Sequence, residues 1–213
     1  MSTLTILDVD PLAPSMLIWY LDHDPVQAAK AVPDPLLSRA IIDAARLLCA
    51  VWHAQEPEKL GSEWLPPTAE VVPYTPPEEL SSLVTKLHGQ RVYNSINTPA
   101  ATEVAPYVAW AGASAANYSW LWRYGWHLTH EYSVRLGLPH GAMPVLWVLE
   151  WPPECLDAKA GATEAPTLVR TRETVAEDGE EYVDAVASHR AYLLKYRSHV
   201  LRWTKGEPSW LHE

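Results

Sequence analysis

Phenylalanine is absent from this 213-residue chain. The aromatic bulk of any core must therefore come from its 11 tryptophans and 10 tyrosines, whose indole N–H and phenol O–H groups seek hydrogen-bond partners once buried. Cysteine is scarce too. Cys49 falls in a helical stretch and Cys155 in a Pro-rich loop, and two thiols exclude both a disulfide framework and a cysteine-based zinc site. Both are read as buried or idle. No run approaches the roughly 18 apolar residues needed to span a bilayer. The first dozen residues carry Asp8 and Asp10 but no Lys or Arg, unlike a signal peptide. The expectation is a cytoplasmic protein with no membrane contact. Positive charge is thin as well: 16 Lys and Arg stand against 26 Asp and Glu, a formal net charge of −10. Such a chain repels a polyanion at long range, so any nucleic-acid contact must rest on a local basic patch or on stacking. Missing as well are a Gly-rich phosphate loop, a nucleophile elbow, an HExxH motif and an internal repeat at solenoid periods.

What is present is 48% hydrophobic residues, enough for one compact domain with a real core. Residues 1–15 read as an extended arm and 16–213 as a single, mainly α-helical domain. "MLIWYL" (16–21) reads as a short apolar N-terminal strand. Helix signals follow, with Asp24 as a cap and Pro25 in the first turn; Asp34 and Pro35 repeat the device. The second helix runs for about five turns, with Leu36, Ile41, Ala45 and Leu48 inward. The proline-dense stretch 56–77 reads as an irregular crossing and Glu78 to His88 as a short amphipathic helix stopped by Gly89. Pro106 is expected to open a long helix that ends near Gly137. "MPVLWVLEWPP" (143–153) is a short buried helix or strand. Residues 157–184 are polar, with a solvated loop or a small hairpin near 168–183, turning at Asp178-Gly179. A last helix from Asp184 to Lys205 carries Arg190, Lys195, Arg197, Arg202 and Lys205 as a basic stripe.

The aromatic stretch "ASAANYSWLWRYGWHLTHEY" (113–132) separates into three stripes on a 3.6-residue period. Trp110, Ser114, Tyr118, Leu121, Gly125 and Leu128 form a core face on which Gly125 lets another backbone approach. Trp122, Trp126 and His130 form another. Asn117, Trp120, Tyr124, His127 and Glu131 form a polar-aromatic face on which burial explains least, and the place to expect a pocket. There a ring could stack on a base, the Asn117 amide could read hydrogen-bond edges, and His127 with Glu131 could move a proton. His127 and Glu131 share a face as two metal ligands would, but no third ligand stands near, so no metal and no cofactor is assigned.

The order of several motifs resembles a family of small uncharacterised proteins encoded by tailed bacteriophages. The matching pieces are "IWYLDHDPVQAA" (18–29), "NYSWL" (117–121), "EYSVRLGLPH" (131–140), "HRAYL" (189–193) and "RWTKGEPSWL" (202–211), so the resemblance spans most of 16–213. The chain departs from the family pattern in two places. An Asp-Lys-His segment is here Asp34, Pro35, Leu36, and "THKNHP" is here "ATEVAP" (101–106). The pattern carries over to Asp22, Asp24, Asp34, Asn117, Tyr118, Glu131, Tyr132, Arg135, His140, Arg190, Tyr192 and Trp203.

The phage setting implies an enzyme of nucleotide or DNA-base modification in the infected host cell, such as a transferase acting in thymine hypermodification. On that reading Asn117, Tyr118 and Trp120 hold the base, with Tyr124 and Tyr192 beside the substrate. Glu131, His140, His127 and Asp34 are the catalytic candidates. Arg135, Arg190 and Arg197 bind phosphate, because the guanidinium fork matches phosphate oxygens. A DNA substrate would present a flipped or single-stranded base. The alternative is a non-catalytic phage protein, an inhibitor or adaptor of a host protein, built on a degenerate enzyme scaffold; the acidic charge and the missing Lys and His positions favour it.

Overall fold

The structure is a computed structural model that describes residues 18–55, 101–166 and 184–212. The described residues are mainly helical: α1 (Pro25–Ala31), α2 (Asp34–Gln55), α3 (Ala101–Ala111), α4 (Ala115–Leu136), α5 (Met143–Val148) and α6 (Ala185–Tyr196), followed by two 3₁₀ turns at Ser198–Val200 and Ser209–Leu211. Helix α4 is the axis. It packs along α1 and α2, while α3 lies against α2 and α5 closes over α4. The expected arm at 1–15, crossing at 56–77, helix at 78–88 and hairpin at 168–183 lie outside the described residues.

Local chemistry sets the helix starts. The Asp24 carboxylate accepts from the Val26 N–H at 2.8 Å with Pro25 in the first turn, satisfying an amide that has no partner inside the helix. Asp184 caps α6 in the same way, accepting from Val186 and Ala187. Asp34 behaves differently from expectation. It is the first residue of α2, and its carboxylate bonds Arg135 and Thr204. Along α2, Ile41, Ala45 and Leu48 are fully buried, while Leu36 is only partly so.

Three expectations need correction. First, Ile18–Leu21 is extended and buried but is not a strand: the Trp19 N–H donates to the Tyr124 hydroxyl, the Tyr20 N–H to His189 Nδ1, and the Leu21 carbonyl accepts from Arg190 Nε. Side chains thus take the bonds a neighbouring strand would otherwise supply. Second, Pro106 lies inside α3, and the long aromatic helix begins after a break at 112–114. Ser114 is extended there (φ −156°, ψ 157°) and its hydroxyl accepts from the Asn117 N–H at 3.1 Å, a strong helix start. The other end follows expectation: Gly137, at φ 77°, closes α4 in the left-handed conformation. Third, the basic C-terminal helix stops at Tyr196. Beyond it the chain is drawn across α1 and α2: the Asp34 N–H donates to the Arg202 carbonyl at 2.9 Å, and the Trp203 indole to the Ala31 carbonyl at 3.0 Å. Arg202 and Lys205 therefore belong to a strap at 201–212, not to a helical stripe.

The core face of α4 is as expected, with Tyr118, Leu121 and Leu128 fully buried. At Gly125, however, the close neighbours are side chains. A Cβ there would meet Leu146 Cδ2 at 3.0 Å and Ala44 Cβ at 3.1 Å, so the glycine admits α5 and α2 side chains instead of a backbone.

Candidate functional site

The polar-aromatic face of α4 is spent on architecture in its first half. Asn117 is fully buried, and its amide nitrogen donates to the Trp110 carbonyl (2.8 Å) and to the Thr163 hydroxyl (2.9 Å). Its amide oxygen accepts from the Thr163 N–H at 2.8 Å. The side chain clamps the 112–114 break to the 157–166 segment and, being fully buried with both amide hydrogens donated, is not available to read a base. Tyr118 is fully buried; its hydroxyl accepts from the Trp52 indole at 2.9 Å and donates to the Leu149 carbonyl at 2.8 Å. Trp120 donates to the His23 carbonyl at 2.7 Å and packs between Tyr20 and Tyr124, 4.5 and 5.4 Å away by ring centroid. Tyr124 is fully buried, and burial raises its phenol pKa. These rings replace phenylalanine as filler, each polar tip tied to a backbone or hydroxyl group.

Asn117→Ala is expected to cost about 2 kcal/mol, because a fully buried clamp is lost and the Trp110 carbonyl is left with the Ala113 N–H alone, whereas the exposed Thr163 can turn to water. Urea unfolding measures it. A loss under about 0.5 kcal/mol with ligand binding weakened instead would return Asn117 to recognition.

His140 is also held. Its Nδ1 accepts from the Ala142 N–H at 3.1 Å, which puts the ring proton on Nε2, where it faces the Ser38 hydroxyl at 3.1 Å. The Tyr132 ring meets it edge-on at 4.9 Å. The imidazole thereby ties the turn after α4 to α2. His127 is partly buried, and burial, followed by the charges of Arg123 and His130, lowers its pKa. Tyr192 is buried with its ring 6.3 Å from Trp19. Arg197 ends α6 as its C-cap.

Three candidates do come together. The Arg135 side chain is 2% exposed; Nε and Nη2 grip Glu131 at 2.9 Å, and Nη1 reaches Asp34 at 3.0 Å. The same guanidinium donates to the Val32 carbonyl (2.8 Å) and the Lys30 carbonyl (2.7 Å), satisfying the end of α1. The other Asp34 oxygen accepts from the Thr204 N–H and hydroxyl. Burial alone would raise the Asp34 pKa, but the Thr204 and Arg135 bonds bring it below the ordinary carboxylate value. Arg135 thus joins α1, α2 and α4, and through Asp34 the strap.

Beside this junction opens a groove of about 670 Å³. Asp22, Gln27 and Lys30 line it from the N-terminal segment and α1, Glu131 and Arg135 from α4, and Lys205, Glu207 and Trp210 from the strap. Arg190 stands behind it, its guanidinium 4.9 Å from the Trp210 ring centroid and 3.7 Å from Asp22. Of the expected residues, Glu131 and Arg135 line the groove, together with Asp22 from the family pattern. Gln27, Lys30, Glu207 and Trp210 are not among the expected site residues and Lys205 is expected only as part of a helical stripe; local periodicity holds no signal for the groove because the strap meets α1 only through long-range bonds. The quoted "RWTKGEPSWL" was the nearest clue.

A separate trio, His23, Glu164 and Asp184, brings ligand-type atoms within 4.8 Å of one another. Glu164 accepts from the Ala185 N–H and Asp184 from the next two amides, so both carboxylates hold the start of α6. The partial positive charge there opposes a cation.

No family model, curated protein or solved structure matches the chain. Among the described residues, no helix is long and apolar enough to cross a membrane.

Proposed function

We propose that the protein is a phage-type enzyme of nucleotide or DNA-base modification and that the groove beneath the strap is its substrate site. The observation that carries this reading is the groove itself: about 670 Å³, within the range of small-ligand sites, with a tryptophan, an amide and two lysines on its walls. Trp210 offers a flat apolar surface to a base, Gln27 a donor and an acceptor, and Lys30 and Lys205 charge for an anionic group. This moves the expected base site from the first half of α4 to its C-terminal end, with Arg190 supporting Trp210 in place of direct phosphate binding. A group transfer onto a pyrimidine would draw its proton acceptor from the wall carboxylates Asp22, Glu131 and Glu207.

A second reading, a non-catalytic phage protein that engages a host partner, draws on the state of the catalytic candidates. Glu131 and Asp34 are committed to Arg135 and His140 to Ala142 and Ser38, leaving less free acid-base chemistry than an enzyme uses.

Titration with thymidine, its phosphates and a short oligothymidylate, followed by tryptophan fluorescence and calorimetry, tests the groove. The expected result is saturable binding that Trp210→Ala weakens about tenfold, the loss of one stacking contact. Absence of binding by every one of these ligands, with a tight host protein recovered instead, would sink the enzyme reading.

A further inference from the structure

The charges lining the groove are not all alike in their commitments. Glu131 is held by Arg135 at 2.9 Å, Asp22 faces Arg190 at 3.7 Å, and Glu207 reaches His212 at 3.4 Å, a contact that is an ion pair only when the imidazole is protonated. Arg135 is itself consumed by two carboxylates and two carbonyls. Lys30 and Lys205 are exposed and form no ion pair among the described residues. The cations of the groove without an ion-pair partner among the described residues are therefore two ammonium groups, on a chain whose net charge is −10.

We infer that the groove selects a free nucleoside monophosphate, its phosphate between Lys30 and Lys205, over a nucleoside triphosphate or a DNA strand. This rests on the groove being the nucleotide site proposed above. A phosphate monoester carries about −1.5 to −2 charge near neutral pH, which two ammonium groups match. Lysine suits it as a mobile point charge with three donors. Each further phosphate would have to lie near Asp22, Glu131 or Glu207, and a DNA strand would also meet the acidic field of the whole chain. The two lysines come from different elements, α1 and the strap, so a phosphate held by both bridges them. Gln27 lies one turn before Lys30 on α1 and so shares its side, within reach of the ring's polar edge while Trp210 covers its face.

Calorimetric titration of the full chain without divalent metal distinguishes the sources, using thymidine, thymidine monophosphate, thymidine triphosphate and oligothymidylate. Thymidine monophosphate is expected to bind about a hundredfold tighter than thymidine, as two charge-assisted bonds would give, and about tenfold tighter than the triphosphate. Lys30→Ala and Lys205→Ala should each remove about tenfold from monophosphate binding and leave thymidine binding unchanged. Both side chains are exposed, and circular dichroism verifies that the variants fold. Equal affinity for thymidine and its monophosphate, indifference to both lysine variants, or tighter binding of the triphosphate or oligothymidylate would each overturn the selectivity while leaving the groove as a nucleotide site. Failure of all four ligands to bind overturns both.

Discussion

Replacing Arg135 with alanine is expected to destabilise the protein by about 3 to 5 kcal/mol, the range for removing one partner of a buried charge network. Its guanidinium is 2% exposed, and the Asp34 and Glu131 side chains that depend on it are 9% and 13% exposed. Without it two carboxylates lose their counterion in a poorly solvated place, and the Lys30 and Val32 carbonyls at the end of α1 lose their donor. Arg135→Lys keeps the charge but not the planar fork. One ammonium with three donors cannot span two carboxylates and two carbonyls, so lysine should recover less than half of the loss. The urea midpoint measures the change, and an unchanged denaturant slope shows that the same unfolding is being compared. A loss of under about 1 kcal/mol, the scale of an exposed pair, would mean that the junction does not hold α1, α2, α4 and the strap together.

How legible this molecule is in its sequence follows from how local each determinant is. The Asp24-Pro25 cap, the inward face of α2 and the Gly137 stop act over four or five residues, and a reader of the sequence finds them. The α4 core stripe is equally legible, because burial repeats with the helix. Period alone could not distinguish Asn117 as a ligand reader from Asn117 as a clamp. What decides is Thr163, 46 residues away, which uses both ends of the amide. The strand expected at 16–21 is not formed by its described residues, Ile18–Leu21, for a related reason. Its apolar pattern is real, but the partners of its amides are Tyr124 and His189, 105 and 169 residues distant. The groove was the least legible feature: Lys30 and Lys205 line one groove only because Asp34 accepts from Thr204 and Trp203 donates to Ala31. A basic helical stripe was the natural reading of 184–205, and only the bonds pulling 201–205 onto α1 and α2 unmake it.

Between pH 6.5 and 4 the protein is expected to lose up to about 3 kcal/mol of stability through His189 alone, at about 1.4 kcal/mol for each unit of pKa shift. The ring is fully buried in the core, where Nδ1 accepts from the Tyr20 N–H at 3.0 Å and Nε2 faces the Pro166 carbonyl at 3.1 Å. One nitrogen must accept and the other donate, so the neutral Nε2–H tautomer fits and the imidazolium does not. Burial accordingly pushes the pKa from 6.5 down to about 4, against a smaller opposing effect of the Pro166 carbonyl. The unfolded chain takes up a proton near 6.5 while the folded one refuses it until about pH 4. The stabilisation is thus complete above 6.5 and disappears as pH falls through that window. Asp43 acts in the opposite direction over part of the range. Burial outweighs its bonds from Arg39 and Arg46 and raises its carboxyl to about 6, so its contribution to stability grows as the solution becomes more acidic. The His189→Asn variant separates the two, since it removes the titrating ring and leaves Asp43 in place. Urea unfolding free energies of both proteins at pH 7, 6, 5 and 4 should converge as the pH falls, the wild type losing its advantage. Parallel curves across that range would show that His189 is not the buried neutral acceptor that fixes the extended segment at Tyr20.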